Sequence, residues 1–210
     1  MTWRASIAAK AAIHVGTAAD VAIIVFARPP VAGRAKTRLI PKLGAWRAAR
    51  LHARLIERTL RTARAARCGK VELQIRQQRG RDLGERMRRA FEKALRRHRA
   101  VILIGTDCPV LEAADLRRAA RLLRGACDAV LAPAEDGGYA LIALRKVDRT
   151  IFEGVEWGGD TVLRDTLSRI ESLSWRWRLL RTVWDLDRPE DLDRFRALRF
   201  SSGRRRAARR

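Results

Sequence analysis

The segment that most constrains the fold runs from Val101 to Val110, where four apolar residues precede Gly-Thr-Asp-Cys-Pro. An uninterrupted apolar run rich in β-branched residues predicts a strand buried on both faces, as in a parallel sheet covered by helices. Gly105 ends the run, so Asp107 follows the carboxyl end of the strand. Ligands of open α/β sheets bind at that edge, and a carboxylate there can hold a hard cation. In the alternative interpretation Asp107 only begins the next helix, a role that Glu112 or Asp115 can fill.

Further apolar runs alternate along the chain with segments of helical spacing. Residues 71–75 alternate apolar and polar side chains, which predicts a half-buried strand near a sheet edge. Alternation of strand and helix is typical of right-handed crossover units, so the sequence predicts an α/β fold. We expect a Rossmann-like, mostly parallel sheet flanked by helices, with strands at 21–26, 71–75, 101–104, 129–132, 140–144 and 175–179.

The length of 210 residues suits one domain with a proper core. We assign the single domain to residues 21–199. Residues 1–20 contain no acid before Asp20 and are expected to form a poorly ordered extension, while the arginine-rich residues 200–210 are expected to form a basic, disordered tail.

The net charge of +23 indicates an anionic partner, and nucleic acid is one candidate. Seven arginines nevertheless recur at the three- or four-residue spacing of a single helix face. They are Arg47, Arg50, Arg54, Arg58, Arg61, Arg64 and Arg67. We interpret them first as a solvated face, so nucleic acid is possible but not favoured.

The cysteines and histidines exclude several kinds of chemistry. Three cysteines without paired spacing indicate neither a disulfide framework nor a zinc site, and they fit a reducing cytoplasm. The three histidines lie outside the motif loops, which leaves carboxylates, a lysine and arginines as the candidate groups. No apolar stretch approaches the roughly 20 residues of a membrane span.

The loop after the first strand carries a glycine and three cations, which suits a polyphosphate ligand. Gly33 allows close backbone approach, Lys36 supplies a point charge and Arg38 offers a fork of donors. The loop lacks the glycine-rich run of a Walker A motif.

Acidic residues follow two later apolar runs. Glu135 and Asp136 stand beside Gly137 and Gly138, a pattern that also fits a hairpin turn. Trp157 precedes a second glycine pair and can be either a ligand contact or core. Near the end of the chain, Asp185 and Asp187 stand two residues apart. Either of them, with Asp107, can complete an oxygen-ligand site for Mg²⁺ or Mn²⁺.

These motifs together resemble the bacterial glycosyltransferase-like proteins of GT-A fold that are associated with arsenosugar biosynthesis. The resemblance runs from about Val21 to Leu198. It departs from the family pattern by a shorter segment between Ile75 and Asp82 and by Gly158-Gly159-Asp160 after Trp157. The motifs are Phe26-Ala27-Arg28, Lys36-Thr37-Arg38-Leu39, Asp82-Leu83-Gly84-Glu85-Arg86-Met87, Gly105-Thr106-Asp107-Cys108-Pro109, Pro133 to Tyr139, and Asp185 to Leu192.

The resemblance implies a nucleotide-diphospho-sugar transferase that moves a sugar to a small acceptor. The rival activity is nucleotidyl transfer from a nucleoside triphosphate to a phosphorylated substrate, as in phospholactate guanylyltransferase. An inactive fold member that binds nucleic acid is a third hypothesis. The implied nucleotide-binding residues are Ala27, Arg28, Gly33, Lys36 and Arg38; the metal ligands Asp107 and Asp187; the catalytic residues Lys36, Asp107 and Asp136; and the substrate-binding residues Glu135, Gly137, Gly138, Tyr139 and Trp157.

Overall fold

In the part of the chain that the structure describes, six strands form one central sheet. They are β1 (Val21–Phe26), β2 (Lys70–Gln74), β3 (Ala100–Ile104), β4 (Ala129–Pro133), β5 (Tyr139–Leu144) and β6 (Trp177–Leu179), in the order β2-β1-β3-β5-β4-β6. This computed structural model describes residues 20–75 and 78–198. The predicted extension at 1–20, except for Asp20, and the predicted tail at 200–210 lie outside the described residues.

The strand directions confirm the predicted mostly parallel sheet. β1 pairs in parallel with both β2 and β3, and β4 pairs in parallel with β6. β5 runs antiparallel between β3 and β4. It does so because the short turn after β4 leaves no room for a crossover helix. The turn that contains Gly137 and Gly138 is therefore a hairpin, one of the two interpretations of its sequence.

Helices cover both faces of the sheet. They are α1 (Ile40–Leu43), α2 (Ala45–Ala66), α3 (Leu83–Leu95), α4 (Ala113–Arg124) and α5 (Val162–Ser172), and residues 191–198 are also helical. Neighbouring residues of β1 face opposite layers: Ile23 packs with α2 and α4, whereas Ile24 packs with α3 and α5. Burial on both faces explains why β1 and β3 are apolar throughout. No helix in the described part of the chain is both long and apolar enough to cross a membrane.

Local capping fixes where the helices beside the site begin. Asp82 precedes α3 and accepts a hydrogen bond from the Glu85 amide, at 2.7 Å, as the sequence predicts. Glu112 precedes α4, and its amide donates to the Asp115 carboxylate at 2.9 Å. Because Glu112 and Asp115 complete the start of α4, the helix does not use Asp107 as its cap.

The segment after β6 brings the last acidic pair to the sheet edge. Val183 forms a parallel bridge with Ala134, directly beyond β4, and the Leu186 amide donates to the Asp107 carbonyl at 2.8 Å. Trp184 and Leu186 are buried against Leu39 in a separate apolar cluster. The residues that flank the acids are thus core residues, which holds Asp185 and Asp187 beside the end of β3.

Candidate functional site

Lys36 is the centre of the candidate site. Its Nζ lies 2.6 Å from the Leu186 carbonyl oxygen, 2.7 Å from Asp107 Oδ1 and 3.4 Å from Asp187 Oδ1. Only 3% of its side chain is exposed, so the ammonium depends on these three oxygens in place of water. Arg38 adds an ion pair with Asp187 Oδ2 at 2.7 Å. The predicted phosphate-binding cations and the predicted metal ligands therefore occupy one cluster.

The backbone at Lys36 directs this side chain inward. Lys36 has φ 51° and ψ 48°, the left-handed conformation, and it precedes a 3-10 turn at Thr37–Leu39. A non-glycine residue in this region is uncommon and is held there by its surroundings. The buried Leu39 on one side and the ion pairs on the other supply that restraint.

His52 is a neighbour of the cluster that sequence reasoning missed. Its Nε2 lies 3.0 Å from the Arg28 carbonyl oxygen, and its Nδ1 lies 3.9 Å from Asp107 Oδ1. Neither Nδ1 nor Asp107 Oδ1 has a hydrogen-bond partner among the described residues, although Asp107 Oδ1 forms its ion pair with Lys36. Burial lowers the pKa of His52, against the opposing effect of Asp107, so the imidazole is neutral at pH 7.

Asp185 is the acid with the most perturbed titration. Burial, the largest cause, and the negative charges of Asp107 and Asp136 together raise its pKa to about 7. A carboxyl group with such a pKa can exchange a proton near neutral pH. Cys108, next to Asp107, has a pKa raised to about 12, first by burial and then by Asp185. Its thiol remains protonated and is a poor nucleophile.

A cavity of about 190 Å³ opens beside the cluster, on the α3 and α5 side of the sheet. Asp136, Asp185 and Gly105 belong to its lining, together with the predicted substrate-binding residues Gly138 and Trp157. Tyr139 also lines it, and burial raises the pKa of its phenol, so this group stays neutral. The remaining lining residues are Phe26, Leu83, Met87, Leu103, Ala140, Ile142, Gly158, Gly159 and Val162.

Two glycines allow the Trp157 loop to pack closely on the cavity. A Cβ at Gly84 would lie 2.6 Å from the Trp157 indole, and a Cβ at Gly137 would lie 1.9 Å from the Asp160 carbonyl oxygen. Both positions therefore require glycine for space, and Gly137 also has φ +87°. Gly137 supports the cavity through this contact and is not part of its lining, in contrast to Gly138.

The other predicted residues lie around this centre. Both carboxylate oxygens of Glu135 accept from Arg194, at 2.7 and 2.8 Å, and Glu135 is not among the cavity residues. Ala27 continues the β1 ladder through a bond to Gln74, and Arg28 contributes its carbonyl to His52. Gly33 lies in an exposed turn, with φ +80°, ahead of Lys36.

The oxygens around the Lys36 ammonium are of the type that hard divalent cations prefer. They comprise two carboxylates and one carbonyl, without a sulfur or imidazole ligand. In the described residues no three His, Cys, Asp or Glu side chains come together as a metal site of their own. An ion held here would need further ligands, and Mg²⁺ commonly takes these from water and substrate phosphates.

Solved structures define the class of protein to which this fold belongs. A Desulfovibrio desulfuricans protein described as a "putative nucleotide-diphospho-sugar transferase" is 27% identical, with a TM-score of 0.75 over 81% of this chain and 83% of that one. CMP:2-keto-3-deoxy-manno-octonic acid synthetase, solved with CTP, is 12% identical, with a TM-score of 0.53 over 87% and 99%. A Methanothermobacter nucleotidyl transferase is 14% identical, with a TM-score of 0.54 over 87% and 98%. The chain has the fold of these transferases.

The family follows from the sequence itself. The model of the family described as "Uncharacterized protein conserved in bacteria (DUF2064)" matches residues 45–159, which is more than half of the chain. The chain belongs to this family. No curated protein matches it significantly. The family and the transferase fold confirm the resemblance that the motifs indicate.

Proposed function

We propose that the protein transfers a sugar from a nucleoside-diphosphate sugar to a small hydroxyl acceptor, with the help of Mg²⁺ or Mn²⁺. The observation that supports this function best is the Lys36 ammonium. It lies against Asp107 and Asp187, with Arg38 beside them, at the edge of the acid-lined cavity. One cluster thus combines cations for a diphosphate with carboxylates for a metal ion.

The phosphate-binding part of the mechanism belongs to the loop after β1. Lys36 and Arg38 supply positive charge where the nucleoside diphosphate departs, and fixed charges of this kind stabilise a transition state without reorganisation. Ala27, Arg28 and Gly33 belong to the same loop and would carry the rest of the nucleotide. Asp107 and Asp187 would hold a divalent ion, which would supply neutralisation of charge on the leaving diphosphate.

The acceptor part belongs to the two acids of the cavity. The acceptor oxygen forms a bond to the anomeric carbon while the bond from that carbon to the diphosphate oxygen breaks. The electron pair of the broken bond leaves with the nucleoside diphosphate, and the hydroxyl proton passes to Asp185 or Asp136. Asp185 suits this role because its raised pKa, about 7, matches that of a general base near neutral pH.

The runner-up is nucleotidyl transfer from a nucleoside triphosphate to a phosphorylated substrate, with pyrophosphate as the leaving group. The same cations would serve it; one structural neighbour is named a nucleotidyl transferase, and another is a synthetase solved with CTP. The cavity favours the first function, because its charged lining residues in the described chain are Asp136 and Asp185. Carboxylates accept a hydroxyl proton but repel a phosphate nucleophile.

Product analysis separates the functions. The protein is incubated with nucleoside-diphosphate sugars or nucleoside triphosphates, with Mg²⁺ or Mn²⁺ and small alcohols. Release of nucleoside diphosphate supports sugar transfer, and release of pyrophosphate supports the runner-up. Asp107→Asn should abolish turnover, whereas Glu57→Gln, an equivalent change on the exposed face of α2, should preserve it. Absence of both products with every donor contradicts both functions.

The proposal includes a cytoplasmic location for the protein. All three cysteines are free and buried, which suits a reducing compartment such as the cytoplasm. Nucleotide donors and a small acceptor would be the partners.

A further inference from the structure

The cavity beside the Lys36 cluster has apolar walls and one polar end. Phe26, Leu103 and Ile142 form its floor, from three adjacent strands of the sheet. Met87 of α3 and Trp157 cover it. Such a site binds the apolar body of a ligand through burial of surface, at roughly 25 cal/mol per Å².

The volume limits the ligand to a single ring. The cavity measures about 190 Å³. Sites for drug-sized molecules measure roughly 300–1,000 Å³, whereas an engineered apolar cavity of about 150 Å³ in another protein holds benzene. A substituted six-membered ring fits inside, whereas most of a nucleotide or a disaccharide would extend beyond the rim.

The charges of the lining exclude an anionic ligand. Asp136 and Asp185 are the acidic side chains of the described lining, which contains no lysine or arginine. A phosphate or carboxylate group would face two acids with no cation in the described lining, which disfavours its binding. A hydroxyl group instead donates a hydrogen bond to a carboxylate and remains neutral.

The rim provides a second indication of an apolar ligand. Leu83, the first residue of α3, lines the cavity and is 42% exposed. It is one of three large hydrophobic residues with such exposure in the described chain, the others being Val31 and Trp46. An apolar ring that extends from the cavity would cover this side chain.

We infer that the cavity binds a compact, uncharged ring alcohol, with its ring between Met87 and Trp157 and its hydroxyl group against Asp185. The identification of this alcohol as the acceptor of the transfer rests on the proposed function. Binding of the alcohol in the cavity is measurable without any nucleotide, so the ring-alcohol site and the proposed function can be contradicted separately.

Binding is tested on the full chain with phenol, cyclohexanol and phenyl phosphate. The readout is the indole NH signal of Trp157, assigned among the six tryptophans by its loss in Trp157→Phe. We expect phenol and cyclohexanol to shift this signal in a saturable manner. Phenyl phosphate should bind at least tenfold more weakly than phenol, because of the two acids. Equal or tighter binding of phenyl phosphate overturns the inference, as does the absence of a shift with both alcohols.

Two variants that change the cavity volume in opposite directions test whether the ligand binds there. Ile142→Phe enlarges a side chain on the cavity floor in β5, where an aromatic residue suits the strand. It should weaken phenol binding at least tenfold. Met87→Ala enlarges the cavity and should improve binding of 2-naphthol relative to phenol at least tenfold. Ala53→Val on α2, outside the cavity, should leave both affinities unchanged.

Each of the two cavity variants tests the inference independently. If one of them misfolds, the other still provides the test. Unchanged affinities in a folded Ile142→Phe or Met87→Ala protein contradict binding in the cavity. A separate titration with nucleoside diphosphates and Mn²⁺ distinguishes the two proposals. Phenol binding without nucleotide binding contradicts the proposed function alone, and the reverse result contradicts the ring-alcohol site alone.

Discussion

The charged side chains of the site would each be costly to bury alone, and their mutual interactions offset this cost. The Lys36 ammonium is almost fully buried, and the oxygens of Asp107, Asp187 and Leu186 replace its water. Removal of one partner from such an arrangement leaves an uncompensated charge, which commonly costs about 3–5 kcal/mol. The site is therefore held in shape by the same charges that we assign to ligand binding.

Asp185 makes folding stability depend on pH. Its pKa rises from 3.8 in the unfolded chain to about 7 in the folded protein. Between these values the folded state holds the proton more tightly, so the contribution of Asp185 to stability falls as pH rises through this window and is level above it. Asp185→Asn should be more stable than the wild type by on the order of 1–3 kcal/mol at pH 8.

Urea unfolding of both proteins at pH 4, 6 and 8 measures this difference. The advantage of Asp185→Asn should grow from pH 4 to pH 7 and then remain constant. A difference that is independent of pH would show that the Asp185 proton is held equally in both states.

Gly137 carries a steric prediction. An alanine there would need φ +87° and would place its Cβ 1.9 Å from the Asp160 carbonyl oxygen. Gly137→Ala should destabilise the protein by at least about 2 kcal/mol, because backbone must move. Gly125→Ala is the control, since its Cβ would lie 3.5 Å from the nearest atom and no positive φ is involved. Chemical denaturation of the two variants tests the contrast, and similar losses would contradict the steric explanation.

At the scale of elements, the hairpin between β4 and β5 is tied to the helical residues 191–198. Arg194 donates to both oxygens of Glu135 and stacks on the Trp184 ring, with its guanidinium carbon 4.5 Å from the ring centroid. The side-chain bonds to Arg194 lower the pKa of Glu135, which keeps this carboxylate ionised. The helical segment thereby steadies the turn that presents Asp136 to the cavity.

Arg194→Ala should release this turn. Global stability should change by only about 0.5–1 kcal/mol, because the pair is exposed. Amide hydrogen exchange in residues 134–138 should become at least several-fold faster. Arg196→Ala removes an arginine that pairs with Asp193 inside the same helical segment, and it should leave exchange in the hairpin unchanged. Equal exchange in the two variants would remove the assigned role of Arg194.

The sequence predicts the position of a residue that directly follows the end of a strand. It does not predict a position that depends on tertiary contacts. Apolar runs followed by glycine or proline located Asp107 and the Lys36 loop, because parallel strands end at one sheet edge. His52 lies in the middle of α2 and carries no motif, so its proximity to Asp107 was not visible in the sequence. The titration of Asp185 arises from burial by distant segments, which spacing does not encode. The antiparallel direction of β5 likewise depends on the hairpin turn after β4, which the periodicity of apolar residues does not predict.

The whole molecule presents a large positive surface apart from the site. The outward arginines of α2 are exposed, as the helical spacing predicts, and α4 adds a second set beside them. The exposed members are Arg47, Arg50, Arg54, Arg61 and Arg64 of α2 and Arg117, Arg118, Arg121 and Arg124 of α4. Such a surface attracts phosphate backbones without reading their sequence.

Binding to duplex DNA should therefore be weak and steeply dependent on salt. We expect measurable binding at about 50 mM salt and a loss of at least about tenfold at 200 mM, whatever the DNA sequence. Fluorescence anisotropy should give the same affinity for Asp107→Asn as for the wild type. Metal-dependent nucleotide binding should disappear in that variant. Loss of DNA binding in Asp107→Asn would instead place the DNA in the site.

The sheet order has a consequence for how the protein can be altered. Lys36 and Arg38 follow β1, whereas Asp136 and the Trp157 loop accompany β5 and lie across β3 from them. In the proposed function the loop after β1 would hold the donor diphosphate, whereas the hairpin and the Trp157 loop would supply part of the acceptor site. If the proposed sugar transfer is correct, grafting a different hairpin and Trp157 loop onto the chain should change which alcohol is glycosylated and leave the nucleotide preference unchanged.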